Sequence, residues 1–308
     1  MVIVIISLYL LYNYTMKLEP KSISLEDSHY PSLLKEIQNP PLEIYILGRF
    51  FDESIVNVPK IAIVGTRKAS IQGKALARKI SGELARMGVV IVSGLAMGID
   101  SAAHEGALEV KGKTIAVLAN GLGKIYPALN QNLGEKVLEF GGAIISEYGS
   151  EIPYFKGQFL KRNRIISGLC QAVIVIEAPQ RSGSLATARL AAEQGREVFV
   201  FPGPINNPNY YGSHKLIRDG ARLVSSVEDI LEDLGLEKSK IQMSNVKFNK
   251  IKDENQLLIF ETIQGAGQPL NIDKIIELTK LEPQVINQSL APLIIQGILK
   301  ETEKGYTI

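Results

Sequence analysis

Seven short runs of β-branched and aliphatic residues constrain this chain more than any other feature. They are IAIVG (61–65), VVIVSG (89–94), TIAVLANG (114–121), GAIISE (142–147), AVIVIEA (172–178), EVFVFPG (197–203) and ARLVSS (221–226). The runs are continuously apolar rather than alternating, which is the pattern of strands covered on both faces. Longer stretches lie between them, such as GKALARKISGELARMG (73–88) and DSAAHEGALEVKG (100–112), with apolar residues returning at helical spacing. Strands alternating with helices predict an α/β fold with a doubly wound, mainly parallel sheet.

The 308 residues fit about two domains, or one large domain with an appendage. Residues 1–59 read as an N-terminal extension and a short helical segment, in which SLLKEIQ is closed by Pro40-Pro41 and followed by the apolar LEIYILG. The apolar run at residues 2–12 is shorter than the ~20 residues a bilayer span needs. It lacks the flanks of a signal peptide. The first fifteen residues are therefore expected to be a loose extension or an upstream start ahead of Met16, with a weak membrane anchor as the lesser alternative and no membrane partner expected. Residues 60–236 form the α/β domain. Residues 237–250 carry four lysines and one acid and read as a linker. Residues 251–308 give three short helices and a hairpin turning at Lys304-Gly305, the order of a small winged-helix domain.

Composition removes several classes. With 45% apolar and 21% charged residues the chain is too apolar for disorder. The lone Cys170 excludes an internal disulfide and a cysteine-based zinc site, and fits a cytoplasmic protein. His29, His104 and His214 lack the spacing of a metal site, so neither a metal nor another cofactor is expected. A net charge of +2 excludes a histone-like or a strongly acidic protein.

Ligands of open parallel sheets bind beyond the carboxyl ends of the strands. Glycines and hydroxyls follow the apolar runs there. Gly65-Thr66-Arg67, the segment SGLAMGIDSAAH (93–104), the segment NGLGKIYP (120–127) and Arg181-Ser182-Gly183-Ser184 all lead toward helices. None is the G-x-G-x-x-G fingerprint, so NAD or FAD is not indicated. Each glycine alone is explained by its turn. Their convergence on one sheet edge points to an anion or phosphate site, with Ser93 and Ser184 able to cap helices and meet a phosphate.

Charge placement sharpens the ligand. Residues 60–82 hold six Lys/Arg and no acid, and KGQFLKRNR (156–164) sets cations beside Phe155 and Phe159. Cations for phosphates beside rings for bases is the chemistry of single-stranded nucleic-acid binding. Divided along the chain, the charge is −3 over 1–59, +5 over 60–236, +3 over 237–250 and −3 over 251–308. Residues 284–297 carry no charge, so the C-terminal module is expected to pack or to contact protein rather than to read DNA. No nucleophilic triad is recognisable. Asp100 and His104 form one close acid–imidazole pair, at a spacing more often structural than catalytic.

Taken together, IVGTR, SGLAMGIDSAAH, GLGKIYP, RNRIISGL, VIVIEA, RSGSLATA, REVFVFPG and GSHKLI closely resemble the DprA/Smf family, bacterial DNA-processing proteins of natural transformation, from about Tyr30 to Ser226. The resemblance implies an extended Rossmann-like fold that binds single-stranded DNA, forms a tail-to-tail homodimer, loads the RecA recombinase and is not an enzyme. It implies a DNA pocket of Arg67, Ser93, Gly94, Lys156, Phe159, Arg162, Arg164 and Ser184, with Arg67, Lys156 and Arg164 on phosphates and Phe155 or Phe159 under a base. Leu160 stands where the family usually has proline, and Met97 where arginine is common. Two rival classes share a glycine-rich sheet edge. One is a nucleotide-hydrolysing enzyme of the phosphoribohydrolase type, whose PGGxGTxxE glutamate is absent from RSGSLATA. The other is a nucleotide sensor that signals through the winged helix.

Overall fold

A computed structural model describes residues 19–236, 253–266, 269–295, 298–302 and 305–307. The first fifteen residues, the linker at 237–250 and Lys304 of the expected hairpin turn lie outside the described residues. The chain divides into two compact units, Met1–Ile241 and Gln242–Ile308.

The first unit is built on nine strands: β1 (Lys21–Ser24), β2 (Glu43–Gly48), β3 (Lys60–Val64), β4 (Val90–Ser93), β5 (Thr114–Leu118), β6 (Ala143–Ser146), β7 (Ala172–Val175), β8 (Glu197–Val200) and β9 (Arg222–Leu223). Their order across the sheet is β1-β2-β6-β5-β4-β3-β7-β8-β9. Strands β3 to β9 run parallel, while β2 joins β6 and β1 joins β2 antiparallel. The helices are α1 (Ser32–Lys35), α2 (Glu53–Val56), α3 (Ile71–Arg86), α4 (Ile99–Glu109), α5 (Gln131–Glu139), α6 (Lys156–Gly168), α7 (Gly183–Glu193), α8 (Tyr211–Arg218) and α9 (Val227–Asp233). From β3 the chain winds outward through β4 and β5 to β6. It then crosses back through α6 to place β7 on the other side of β3. The β3/β7 boundary is thus the topological switch point, where an open parallel sheet parts its loops and leaves a crevice.

All seven expected runs contribute strands, and the physical reason is visible in their burial. Every residue of β4, β5, β6 and β7 is buried. Alternate residues feed two apolar layers. Val64, Val92, Val117, Ile145 and Val175 pack with Ile165 and Ile166 of α6. Ile63, Ile91, Ile174 and Phe199 pack on the opposite face with Ile80 and Leu84 of α3 and Ile230 of α9. The last run, ARLVSS, pairs only at Arg222–Leu223, and both residues are exposed because β9 is an edge strand. Residues set apart in the sequence as a flank supply β1 and β2 to the same sheet, and the helix expected over 32–38 is only Ser32–Lys35.

Helices α3 and α4 cross at very close range. A Cβ on Gly106 of α4 would lie 2.2 Å from both the Arg78 carbonyl oxygen and the Ser81 Oγ of α3. Ser70 caps α3, its hydroxyl accepting from the Gly73 amide at 2.9 Å.

The second unit comprises α10 (Glu254–Ala266), α11 (Ile272–Thr279), α12 (Pro283–Ile295) and an antiparallel pair, β10 (Lys300–Thr302) and β11 (Gly305–Thr307). Phe260, Ile275, Ile286, Leu290 and Leu293 are at the centre of its core. In chain order the three helices precede this antiparallel strand pair. Among the described residues, no helix is long and apolar enough to cross a membrane.

Candidate nucleic-acid interface

A cleft of about 320 Å³ opens at the switch point. The loop after β3 contributes Gly65, Thr66 and Arg67, and the turn after β4 contributes Ala96 and Asp100. Phe159, Leu160, Arg162 and Asn163 come from the first half of α6. Pro179, Arg181 and Ser182–Ser184 come from the loop entering α7.

The floor of the cleft is a fixed positive charge. Arg162 is only 5% exposed. Its Nη1 donates to the Gly94 carbonyl at 2.8 Å and to the Val117 carbonyl. Burial draws the Arg162 pKa down to about 10, against the opposing pull of the Asp100 charge. Asp100 is buried beside it and accepts from the Gly94 amide at 3.1 Å. Burial raises the Asp100 pKa, while the Arg162 charge holds it back. A guanidinium at this depth is tolerable only because carbonyls and a carboxylate surround it. Glycine at 94 makes the space, since a Cβ there would lie 2.6 Å from both Nη1 and Nη2 of Arg162.

The mouth is built from rings and exposed cations. The Arg67 guanidinium carbon lies 5.0 Å from the centroid of the Phe159 ring, within the range of a cation–π contact. Phe159 touches Tyr126 and Tyr154, with centroids 5.7 and 6.1 Å away. Also in the cleft lining, Ser182 caps α7. Its hydroxyl accepts from the Ser184 amide at 3.3 Å and lies 2.7 Å from the Ser184 hydroxyl.

Glu177, just beyond β7, holds these loops in place. Its fully buried carboxylate accepts from the Ser70 amide at 2.9 Å, from the Ser70 hydroxyl, and from Asn209 Nδ2 at 3.0 Å. Its backbone carbonyl accepts from the Thr66 amide at 2.7 Å. The loop carrying Arg67 is therefore fastened at both ends to one residue.

Of the residues singled out from sequence, Arg67, Phe159, Arg162 and Ser184 line this cleft. Lys156 is exposed at the first position of α6, three residues before Phe159 and so near its face of the helix. The other three turn elsewhere. The Ser93 hydroxyl is fully buried and donates to the Ile63 carbonyl at 2.7 Å. Gly94 accommodates Arg162. Arg164 pairs with Glu147, both side chains being nearly buried at 13% and 14% exposure, so its charge is committed within the fold. Phe155, the other ring expected under a base, is exposed beside Lys156 and does not line the cleft. Asp100 and His104 take different partners. Thr114 Oγ1 donates to the Ile91 carbonyl at 2.7 Å and so accepts from His104 Nδ1, also at 2.7 Å. Burial, reinforced by Arg162, brings the His104 pKa down to about 3 and keeps the ring neutral.

Sequence reasoning missed Tyr126, Tyr154 and Arg181 as members of the site. Arg181 begins the RSGS segment, where the hydroxyls drew attention instead. The two tyrosines come from separate loops, and no spacing rule joins them.

Comparison with known proteins agrees with this architecture. A family model described as DNA recombination-mediator protein A matches residues 21–235. Protein Smf of Escherichia coli (strain K12) is 39% identical over 288 residues, covering 92% of this chain and 76% of that protein. The solved structure of DNA processing protein A (DprA) from Streptococcus pneumoniae is 42% identical, with a TM-score of 0.65 over 72% of this chain and 76% of that one. That of DNA processing protein A from Helicobacter pylori, described for its single-stranded DNA binding mode, is 32% identical, with a TM-score of 0.63 over 71% of this chain and 97% of that one. A match of this extent, spanning the whole switch-point sheet, places the chain in the DNA recombination-mediator protein A family, the DprA/Smf proteins.

Proposed function

We propose that the protein binds single-stranded DNA at the switch-point cleft and delivers it to a RecA-type recombinase, without chemistry of its own. The observation that carries this reading is the Arg67 guanidinium over the Phe159 ring at the cleft mouth, above the buried Arg162. A phosphate finds cations there, and an unpaired base finds an aromatic face within one nucleotide's reach. In a duplex the base faces are stacked and cannot meet the ring. The charge of +5 over residues 60–236 supplies the attractive field.

Two further observations support the reading. The Helicobacter pylori relative is described for its single-stranded DNA binding mode, and the family description is that of a recombination mediator. The buried acids of this region, Asp100 in the cleft lining and Glu177 behind it, are bound to the fold's own amides and side chains, which favours a binding site over a catalytic one. On this reading the protein works in the cytoplasm as a homodimer during DNA uptake or recombination. The acidic C-terminal unit then serves as a protein contact.

Oligonucleotide binding by Arg67→Ala and Lys156→Ala tests the assignment. Each variant is expected to bind more weakly and to lower the salt slope by about 0.7, the release expected per single-strand phosphate contact. Wild-type affinity and slope in both variants would remove the cleft from consideration.

A further inference from the structure

More aromatic surface gathers beside the cleft than phosphate binding requires. Tyr126 and Tyr154 stack on one another with centroids 4.0 Å apart and planes inclined by 32°, and both lean on Phe159. The Tyr154 hydroxyl beside it raises the Tyr126 pKa. Tyr154 nevertheless remains 49% exposed, and Phe155 beside it 60%. Aromatic side chains dominate burial energetics, so rings gathered together with a face still open to water mark a surface that expects a partner.

The rings are also held before any ligand arrives. The loop bearing Tyr126 is zipped to the loop bearing Tyr154. Gly121 donates its amide to the Ile152 carbonyl at 2.8 Å, and Gly123 donates to Ser150 at 3.1 Å. The approach is so close that a Cβ on Gly121 would lie 1.9 Å from the Gly149 carbonyl oxygen. Asn120 Nδ2 secures the turn by donating to the Lys124 carbonyl at 2.6 Å. A platform fixed in this way gives up little entropy on binding.

We propose that Tyr154, backed by Tyr126, is a stacking subsite for one unpaired nucleobase next to the phosphate gripped by Arg67. The inference rests on the single-stranded DNA reading of the cleft and extends it from the Phe159 ring to a second aromatic face beside it. The occupant is argued from continuity and charge. The platform continues the Phe159 ring on which Arg67 sits, and Lys156 follows in the same segment. A base attached to a phosphate therefore finds both of its needs within one nucleotide.

The test compares two probes on the full-length chain: an oligothymidylate, and a strand with the same number of phosphates in which the bases are replaced by abasic sugars. Wild type should prefer the first. Tyr154→Ala should shrink that preference by about five-fold to a hundred-fold, the range for loss of one base–aromatic stack, while binding the abasic strand as wild type does. Tyr154→Phe should retain the preference. Tyr154→Leu, which keeps the bulk but not the π-face, should behave like alanine and covers the case in which alanine unfolds the loop. Arg67→Ala, measured alongside, should weaken both probes. If Arg67→Ala binds both probes normally, the cleft reading itself falls. If Arg67→Ala is weak but Tyr154→Ala and Tyr154→Leu keep the full preference for bases, the stacking subsite falls alone.

Discussion

Arg162 and Arg164 stand two positions apart on α6, about 200° around the helix axis, and this separation decides their work. Arg162 faces the cleft floor, whereas Arg164 faces Glu147. The sequence marks both as cations in a basic run, and helical geometry alone says that they cannot share one phosphate face. What it cannot supply is the partner, because Glu147 follows β6, on the far side of a loop. Ser93 illustrates the same limit, its hydroxyl being taken by the Ile63 carbonyl of the neighbouring strand. Arg67 and Phe159 were legible because their motif carries their neighbours with it. Two predictions belong at this scale. Glu147→Ala leaves Arg164 nearly buried without its carboxylate and should cost about 3 kcal/mol in urea unfolding, with oligonucleotide affinity unchanged; tighter DNA binding would mean that the freed Arg164 reaches phosphate. Gly94→Ala drives a methyl group into the Arg162 guanidinium. It should cost about 1–3 kcal/mol and weaken oligonucleotide binding together with stability. A fully stable variant would show that Arg162 can move aside.

At the scale of elements, the continuous apolar runs were legible because a strand buried on both faces has no polar positions to interrupt it. The edges were not. β1 is a four-residue KSIS strand with one buried position, and nothing in such a pattern signals pairing. β9 offers only two exposed residues. Helix contacts were equally hidden: Gly106 reads as a poor helix residue until its 2.2 Å approach to α3 is seen. Gly106→Ala should therefore destabilise by about 1–3 kcal/mol, although alanine favours a helix; a stabilised variant in thermal melts would refute the close crossing. His104 on α4 adds a pH signature. Burial, then Arg162, lowers its pKa from 6.5 to about 3. The unfolded chain thus accepts a proton near pH 6.5 that the folded chain refuses until about pH 3. The stability contribution is complete above that window and is lost as the pH falls through it, by up to about 1.4 kcal/mol per pH unit. Unfolding free energies of wild type and His104→Asn between about pH 7 and pH 5 should diverge with that sign. Parallel curves would mean that the folded chain takes up the His104 proton as readily as the unfolded chain.

At the scale of the molecule, a net charge of +2 conceals +5 over residues 60–236 and −3 over residues 251–308. That division was legible by simple counting. Where the positive field is spent was not, since the sheet order that sets β3 beside β7 exists only in three dimensions. In the proposed function the nucleic-acid surface lies at that boundary, where a buried arginine floor meets a rim of rings. On the proposed reading, rings at the rim discriminate between strands, because phosphates are common to single and double strands whereas only unpaired bases present their faces. The most direct measurement is a salt-titrated binding assay with single-stranded and double-stranded DNA of equal length. Tighter binding of the single strand is expected across the salt range, with a preference that survives as the electrostatic part is screened. Duplex affinity equal to or greater than that of the single strand, or a preference that disappears with added salt, would contradict it.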